Sequence, residues 1–294
     1  MNSVPITVPK SDPYPMIKES LSPVPRCIVA SVPVDCIPLK EATERIANHL
    51  QQHSIDKPLL VMGPNAQLVT LAQKNARFAE ALQASDLNTP DGISVFWAAK
   101  LLGQRVSERV PGGDLMESLC AMAARHHWSV FFLGGLPDAA SKAAIQLQRR
   151  YPGLSIAGTY CPPLGFEHDP SENMQIRELI AAAVPDLLFV AFGAPKQEIW
   201  MHENCPTLPI GMALSVGAAF DTQAGLRKRA PKWTHLLGIE WLYRLVHEPR
   251  RLWRRYLVGN ALFLYLVMKQ YLFHSQPVDG VKDMPASCRK NTYA

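Results

Sequence analysis

From about Cys27 to Val216, short apolar runs alternate with segments whose apolar residues recur every three or four positions. The run Leu187–Phe192, bounded by Pro185 and Gly193, is apolar throughout rather than alternating, which marks a strand buried on both faces of a parallel sheet. Leu59–Met62, Trp128–Leu133, Leu154–Gly158 and Ile210–Val216 read as further strands, and Cys27–Val34 as a first one. Helical spacing fills the intervals. Leu39, Ala42, Ile46 and Leu50 share one face, and Ala66–Ala84 turns Leu68, Leu71, Phe78 and Leu82 toward a core. Further helices are expected at Ile93–Leu102, from an Asp114 cap to about His127, up to Arg150, over Ser171–Ala183 and from Pro195 onward. Strand and helix alternate at least five times, which predicts a Rossmann-like α/β fold: a largely parallel sheet flanked by helices and joined by right-handed crossovers.

The texture changes after Gly225. Between Gly238 and Arg255 aromatic residues and arginines share helical segments, and Arg244, Arg251 and Arg254, seven and three residues apart, fall on one helical face. Leu257–Met268 is apolar apart from Gly259 and Asn260, but a spanning helix needs about 20 such residues. The segment fits a helix lying in an anionic membrane interface or docked on a partner subunit. The expected organisation is a disordered extension over 1–26, an α/β domain over 27–237, a basic and aromatic helical appendage over 238–274, and a disordered tail over 275–294.

At 294 residues, 48% hydrophobic and 19% charged, the chain can bury a full core. Its net charge of +5 matters through its distribution: nine Lys or Arg stand between Arg227 and Arg255 against two acids, Glu240 and Glu248. That concentration favours an anionic partner, whether phosphates, a lipid surface or nucleic acid. Six cysteines without a C-x-x-C pair argue against structural zinc and a disulfide framework and fit a reducing compartment. The N-terminus lacks the layout of a signal peptide, so a cytoplasmic location is expected.

Candidate chemistry collects at strand ends. Gly193 permits a sharp turn after Leu187–Phe192, and Pro195 suits a first helical position, which puts helix N–H groups, Lys196 and Gln197 at the carboxyl edge of a sheet. Asn65 is well placed to cap the helix after Leu59–Met62. Asp91, between Pro90 and Gly92 at a helix entry, can be a cap or a sheet-edge acid or base. Asp221 can bond a ribose hydroxyl or merely form a turn. Gly134-Gly135 is a weak phosphate-turn signal, because the dinucleotide and Walker fingerprints are absent. A nucleotide-dependent oxidoreductase or epimerase would share this alternation, yet Tyr265-x-x-x-Lys269 lies beyond the sheet and out of context for one. A non-enzymatic membrane-binding adaptor would explain the basic C-terminus but leave Asp91 and Lys196-Gln197 without a role.

The ordered series Pro64-Asn65, Asp91-Gly92, Arg109 with Gly112-x-Asp114-Leu115, Leu133-Gly134-Gly135, Gly193-x-Pro195-Lys196-Gln197-Glu198, Phe220-Asp221, Arg229-Ala230-Pro231 and Glu240-Trp241-Leu242-Tyr243-Arg244-Leu245 resembles the WecG/TagA/CpsF glycosyltransferase family, also called family 26. The likeness covers roughly Val34–Tyr256. It implies an inverting transferase that moves a sugar from a UDP-sugar to a polyprenyl-diphosphate-linked (undecaprenyl) saccharide in bacterial cell-surface polysaccharide or exopolysaccharide biosynthesis. The expected enzyme is peripheral on the inner face of the cytoplasmic membrane, needs no metal or other cofactor, and does not act on nucleic acid; a homo-oligomer is left open. By position, the family's general base falls on Asp91, its loop asparagine on Asn65 and its active-site glutamine on Gln197. Arginines closing over the diphosphate fall on Arg244, Arg251 and Arg254, nucleotide contacts near Val216 and Asp221, and further substrate contacts on Gly63, Arg109 and Lys196. One departure stands out: the family often carries Thr where this chain has Gly63.

Overall fold

The computed structural model describes residues 24–52, 57–227, 234, 240–247 and 249–274. Most of the expected extension over 1–26 and all of the tail from 275 lie outside them, as do the side chains of Arg244, Arg251 and Arg254.

The chain opens on an antiparallel pair, β1 (Arg26–Val29) and β2 (Val32–Asp35), where the sequence suggested one strand over Cys27–Val34. It reverses at Ala30 and Ser31, both at positive φ. Neither is the Gly or Asn that normally announces such a turn, so the reversal left no sequence signature. The main sheet has six strands, all parallel: β3 (Leu59–Met62), β4 (Leu87–Asn88), β5 (Ser129–Gly134), β6 (Ser155–Tyr160), β7 (Leu187–Ala191) and β8 (Met212–Ser215). Their order is β4-β3-β8-β7-β5-β6, so the last two strands enter the middle of the sheet. The α/β class and parallel sheet are as the alternation predicted. The two-residue β4 is the strand that periodicity missed, because so short an element has no period.

Helices cover both faces. On one lie α2 (Ala66–Ala72), α3 (Ala76–Ala84), α4 (Ile93–Leu101), α7 (Pro170–Ala183) and α8 (Lys196–Asn204); on the other lie α1 (Leu39–Gln51), α5 (Gly112–His126), α6 (Ala139–Arg150) and α9 (Ala219–Gln223). The helix expected over Ala66–Ala84 is two helices. Asn75 interrupts it, its side chain accepting from Phe78 N–H as a second N-cap. α5 starts at Gly112 behind Pro111, so Asp114 lies within its first turn rather than capping it.

The C-terminal segment forms α10 (Glu240–His247) and α11 (Pro249–His274). The inner stripe of α11 seats on the chain itself. Phe263 and Val267 are buried in the core that also holds Leu68 and Ala72 of α2. Gln270 spans the start of the hairpin turn, accepting from Ala30 N–H (2.7 Å) and donating to Ile28 O (2.7 Å). Trp253, Val258, Leu264, Tyr265, Met268, Leu272 and Phe273 remain exposed on the same helix. No helix of the described residues is long and apolar enough to cross a membrane.

Candidate active site

In a parallel sheet every strand delivers its exit loop to the same edge. Here the exits run in spatial order Asp91 (after β4), Gly63-Asn65 (β3), Val216-Gly217 (β8), Gly193–Gln197 (β7) and Gly134-Gly135 (β5). The chain leaves β3 and β7 for helices on one face, α2 and α8, and leaves β8, between them, for α9 on the opposite face. Adjacent strands whose connections diverge in this way open a crevice, the usual ligand position of open α/β sheets.

The first half of the site is the β3–β4 corner. Asn65 caps α2, its Oδ1 accepting from Gln67 N–H (3.1 Å) and Leu68 N–H (3.2 Å). This orients the amide so that Nδ2 points to Asp91 Oδ2 at 3.5 Å. Asp91 N–H donates to Pro64 O (3.2 Å), which ties the two loops together beneath their side chains. Close approach is possible because the flanking residues are glycines. A Cβ on Gly92 would fall 2.9 Å from Asn65 Cβ, and one on Gly63 3.2 Å from Asp91 Cβ. Gly63 thus makes room for the Asp91 side chain. Arg109 is brought beside this corner by its neighbour: Val110 N–H donates to Pro90 O (2.9 Å) and Thr89 Oγ1 to Val110 O (3.1 Å). Asn65, Asp91 and Arg109 are all half-buried.

Beneath the corner is a buried anchor without sequence signal. Asp35, fully buried at the end of β2, pairs with Arg26 (2.6 Å) and accepts from Asn88 N–H (2.6 Å), fixing the end of β4 three residues before Asp91.

The second half is the β7–β8 corner. Gly193 turns at φ +78° as the sequence required, but Pro195 is the N-cap, after a cis Ala194–Pro195 bond, and α8 starts at Lys196. Lys196 pairs with Glu167 of the β6–α7 connection. That connection is fastened further by Phe166 on Phe192 (centroids 4.3 Å) and Phe192 on Trp200 (5.7 Å). Gln197 is only 5% exposed; its Oε1 accepts from Gly193 N–H (3.1 Å) and Gly217 N–H (3.2 Å), and its Nε2 donates to Glu198 Oε1 (2.7 Å). Glu198 is wholly buried, and burial pushes its carboxyl up to about 7. Val216 is buried, its N–H donating to Val190 O (2.9 Å). Asp221 also has internal partners: Oδ1 accepts from Leu136 N–H (3.0 Å) and Oδ2 faces Arg227 Nε (3.3 Å). Its carboxylate therefore ties the β5 exit to the end of α9.

The sheet thus gathers Gly63, Asn65, Asp91, Lys196, Gln197, Val216 and Asp221 along one edge, with Arg109 tied alongside. Arg244 lies in α10 and Arg251 and Arg254 in the first turns of α11, with no described side chain. Among the described residues no group of three or more His, Cys, Asp or Glu stands together as a metal site. Sequence reasoning assigned no role to Asp35, Glu167 or Glu198. Only Glu198 carried a signal, as the last residue of the Pro195–Glu198 segment.

Comparison with known proteins places the chain in a family. The glycosyl transferase WecG/TagA/CpsF family matches residues 27–277. An N-acetylglucosaminyldiphosphoundecaprenol N-acetyl-beta-D-mannosaminyltransferase of Bacillus spizizenii (strain ATCC 23059 / NRRL B-14472 / W23) is 34% identical over 212 residues, 71% of this chain and 80% of the relative. The protein of the same description from Bacillus subtilis (strain 168) is 31% identical over 212 residues, again 71% and 80%. With a family match over most of its length and its candidate residues gathered at one sheet edge, the chain belongs to the WecG/TagA/CpsF family and is a glycosyltransferase.

Proposed function

We propose that this enzyme transfers a sugar from a UDP-sugar to a polyprenyl-diphosphate-linked saccharide, with inversion, at a membrane surface and without a metal ion. The observation that carries the reading is the Asn65–Asp91 corner. A half-exposed carboxyl, reached by an oriented amide, stands at the edge of a crevice suited to a nucleotide. The acceptor class is that named for both Bacillus relatives, an N-acetylglucosaminyl diphosphoundecaprenol.

In the proposed step Asp91 takes the proton of the acceptor hydroxyl as that oxygen attacks the anomeric carbon. The bond from that carbon to the diphosphate breaks on the opposite face, and its electron pair leaves with UDP. Negative charge then grows on the leaving diphosphate, so cations and helix N-termini must face it. Lys196 and Arg109 border the crevice, and Arg244, Arg251 and Arg254 belong to the basic C-terminal helices. Arginine forks can neutralise a diphosphate bidentately, which is the role a divalent ion plays elsewhere.

The two-sided α11 supports membrane contact. Its inner stripe is docked, while large apolar side chains such as Leu264, Tyr265 and Leu272 face outward below an arginine-rich start. Cell-envelope or exopolysaccharide assembly is the setting such an acceptor serves.

The test is transfer to undecaprenyl-diphosphate N-acetylglucosamine, with UDP-N-acetylmannosamine, UDP-glucose, UDP-glucuronate and GDP-mannose offered in turn, each with and without EDTA. Product from a UDP-sugar, undiminished by EDTA, is expected. Product only from the GDP-sugar, or activity abolished by EDTA and restored by a divalent ion, would overturn the corresponding part. Thermal stabilisation by UDP but not by NAD is the binding counterpart; stabilisation by NAD alone would favour an oxidoreductase.

A further inference from the structure

The β7–β8 crevice is tethered by a side-chain pair that the proton transfer above does not use. Two backbone donors, Gly193 N–H and Gly217 N–H, converge on the single oxygen Gln197 Oε1. A Cβ placed on either glycine would meet nothing within 4 Å among the described residues, so none of them packs these turns from that side. An amide side chain has two orientations. The reverse one would set an NH2 group against both N–H donors, leaving the two backbone donors without an acceptor. The acceptor that selects the working orientation is Glu198 Oε1, at 2.7 Å from Gln197 Nε2.

Glu198 is an expensive way to do this. It is fully buried, Oε2 has no hydrogen-bond partner among the described residues, and beside Gln197 only its own backbone N–H and the Ser215 side chain favour the carboxylate, against the larger cost of burial. The charged groups around α8 engage others: Lys196 pairs with Glu167, Glu203 with Arg77, and His202 faces Glu80. A buried carboxyl so poorly compensated lowers stability relative to an apolar side chain of similar size.

We propose that Glu198 is a positioning residue for the transfer reaction: by accepting from Gln197 Nε2 it locks that amide so that its oxygen ties Gly193 to Gly217. The two walls of the nucleotide crevice are thereby held at a fixed separation. Gln197 acts on the reaction through these loops, and stability is given up at position 198 for geometry at the site.

Four full-length variants test this: Glu198→Leu, Glu198→Gln, Gln197→Glu and the double exchange Gln197→Glu/Glu198→Gln. Amide hydrogen exchange at Gly193 and Gly217, without substrate, reads the tether directly. Transfer from UDP-N-acetylmannosamine to undecaprenyl-diphosphate N-acetylglucosamine reads its consequence, and the kinetic arm alone rests on the proposed function. Glu198→Leu is expected to melt no lower than the parent, yet to exchange at both glycines about tenfold faster and to lose about tenfold in kcat. Glu198→Gln, whose oxygen still accepts, should stay close to the parent in exchange and kcat. Gln197→Glu sets two carboxylates together and should loosen both turns; adding Glu198→Gln restores a donor between them and the protection with it. Unchanged exchange in Glu198→Leu would overturn the proposal. So would equal loss in Glu198→Leu and Glu198→Gln accompanied by lower melting, which would mark Glu198 as packing alone. Because exchange is read without substrate, failure of the tether and failure of the transferase reading are separate results.

Discussion

The two halves of the site are built on opposite plans. At the β3–β4 corner the functional groups are half-exposed, and the Asn65–Asp91 contact is long, at 3.5 Å. At the β7–β8 corner the polar groups are buried and committed: Gln197 to two glycine amides and Glu198, and Asp221 to Leu136 N–H and Arg227. Hydrogen bonds that must form during a reaction are often slack before the substrate arrives, whereas bonds that hold a cleft open must already be made. On the proposed function, the difference fits chemistry at the first corner and architecture at the second, and substitutions can separate the two.

The largest effect is expected at the reactive corner. Asp91→Asn removes the base but keeps shape, so turnover should fall about a thousandfold or more while UDP affinity, read by calorimetry, changes little. Retained turnover would take Asp91 out of the role and erase the distinction between the corners.

At the architectural corner the expected effects are on stability. Glu198 has its folded-state carboxyl raised to about 7, above its unfolded value near 4.3, so between those values the folded protein holds a proton that the unfolded chain has released. Its contribution is therefore fully present below about pH 4.3 and is lost as pH rises through 7, a total of up to about 4 kcal/mol. Paired carboxylates such as Glu117 beside Arg150 have the opposite slope, so the measurement is a difference: urea unfolding of parent and Glu198→Gln across pH 5 to 8. The gap between them should open in favour of the variant as pH rises; a constant gap would show that Glu198 does not titrate there.

Asp221→Ala should cost about 2 kcal/mol in the same unfolding experiment, since Leu136 N–H loses its acceptor and Arg227 its partner. If Asp221 instead served the nucleotide alone, stability would be unchanged and UDP affinity would fall.

Asn65 belongs to both plans, and its variants show the smallest stability effect. Asn65→Ala should lose about 1 kcal/mol from the cap of α2 together with activity. Asn65→Asp keeps the cap, so stability should recover, but it sets a like charge against Asp91 and activity should not return. Recovery of both would confine Asn65 to capping.

Much of this molecule was legible along the chain. The apolar runs of Leu59–Met62 and Leu187–Ala191, the helical periods between strands, the Asn65 cap and the glycine turn at 193 depend on residues a few positions apart, and each lies where local chemistry put it. Asp91 stood out for the same reason, as a carboxyl at a strand-to-helix turn. The sequence also carried the ordered segments that identify the family.

The tertiary structure alone decided which loops became neighbours. The order β4-β3-β8-β7-β5-β6 sets β8 between two strands whose helices leave on the other face, and no local period encodes a strand order. It brings Gly217 to Gln197 across 20 residues, Asn88 to Asp35 across 53 and Gln270 to Ala30 across 240. The same folding event gave Asp221 partners in Leu136 and Arg227, which its local spacing did not announce, and made Glu198 a buried residue rather than a polar helix residue. A side chain's local spacing sets the element it belongs to; its burial, its partners and hence its charge depend on what the rest of the chain places against it.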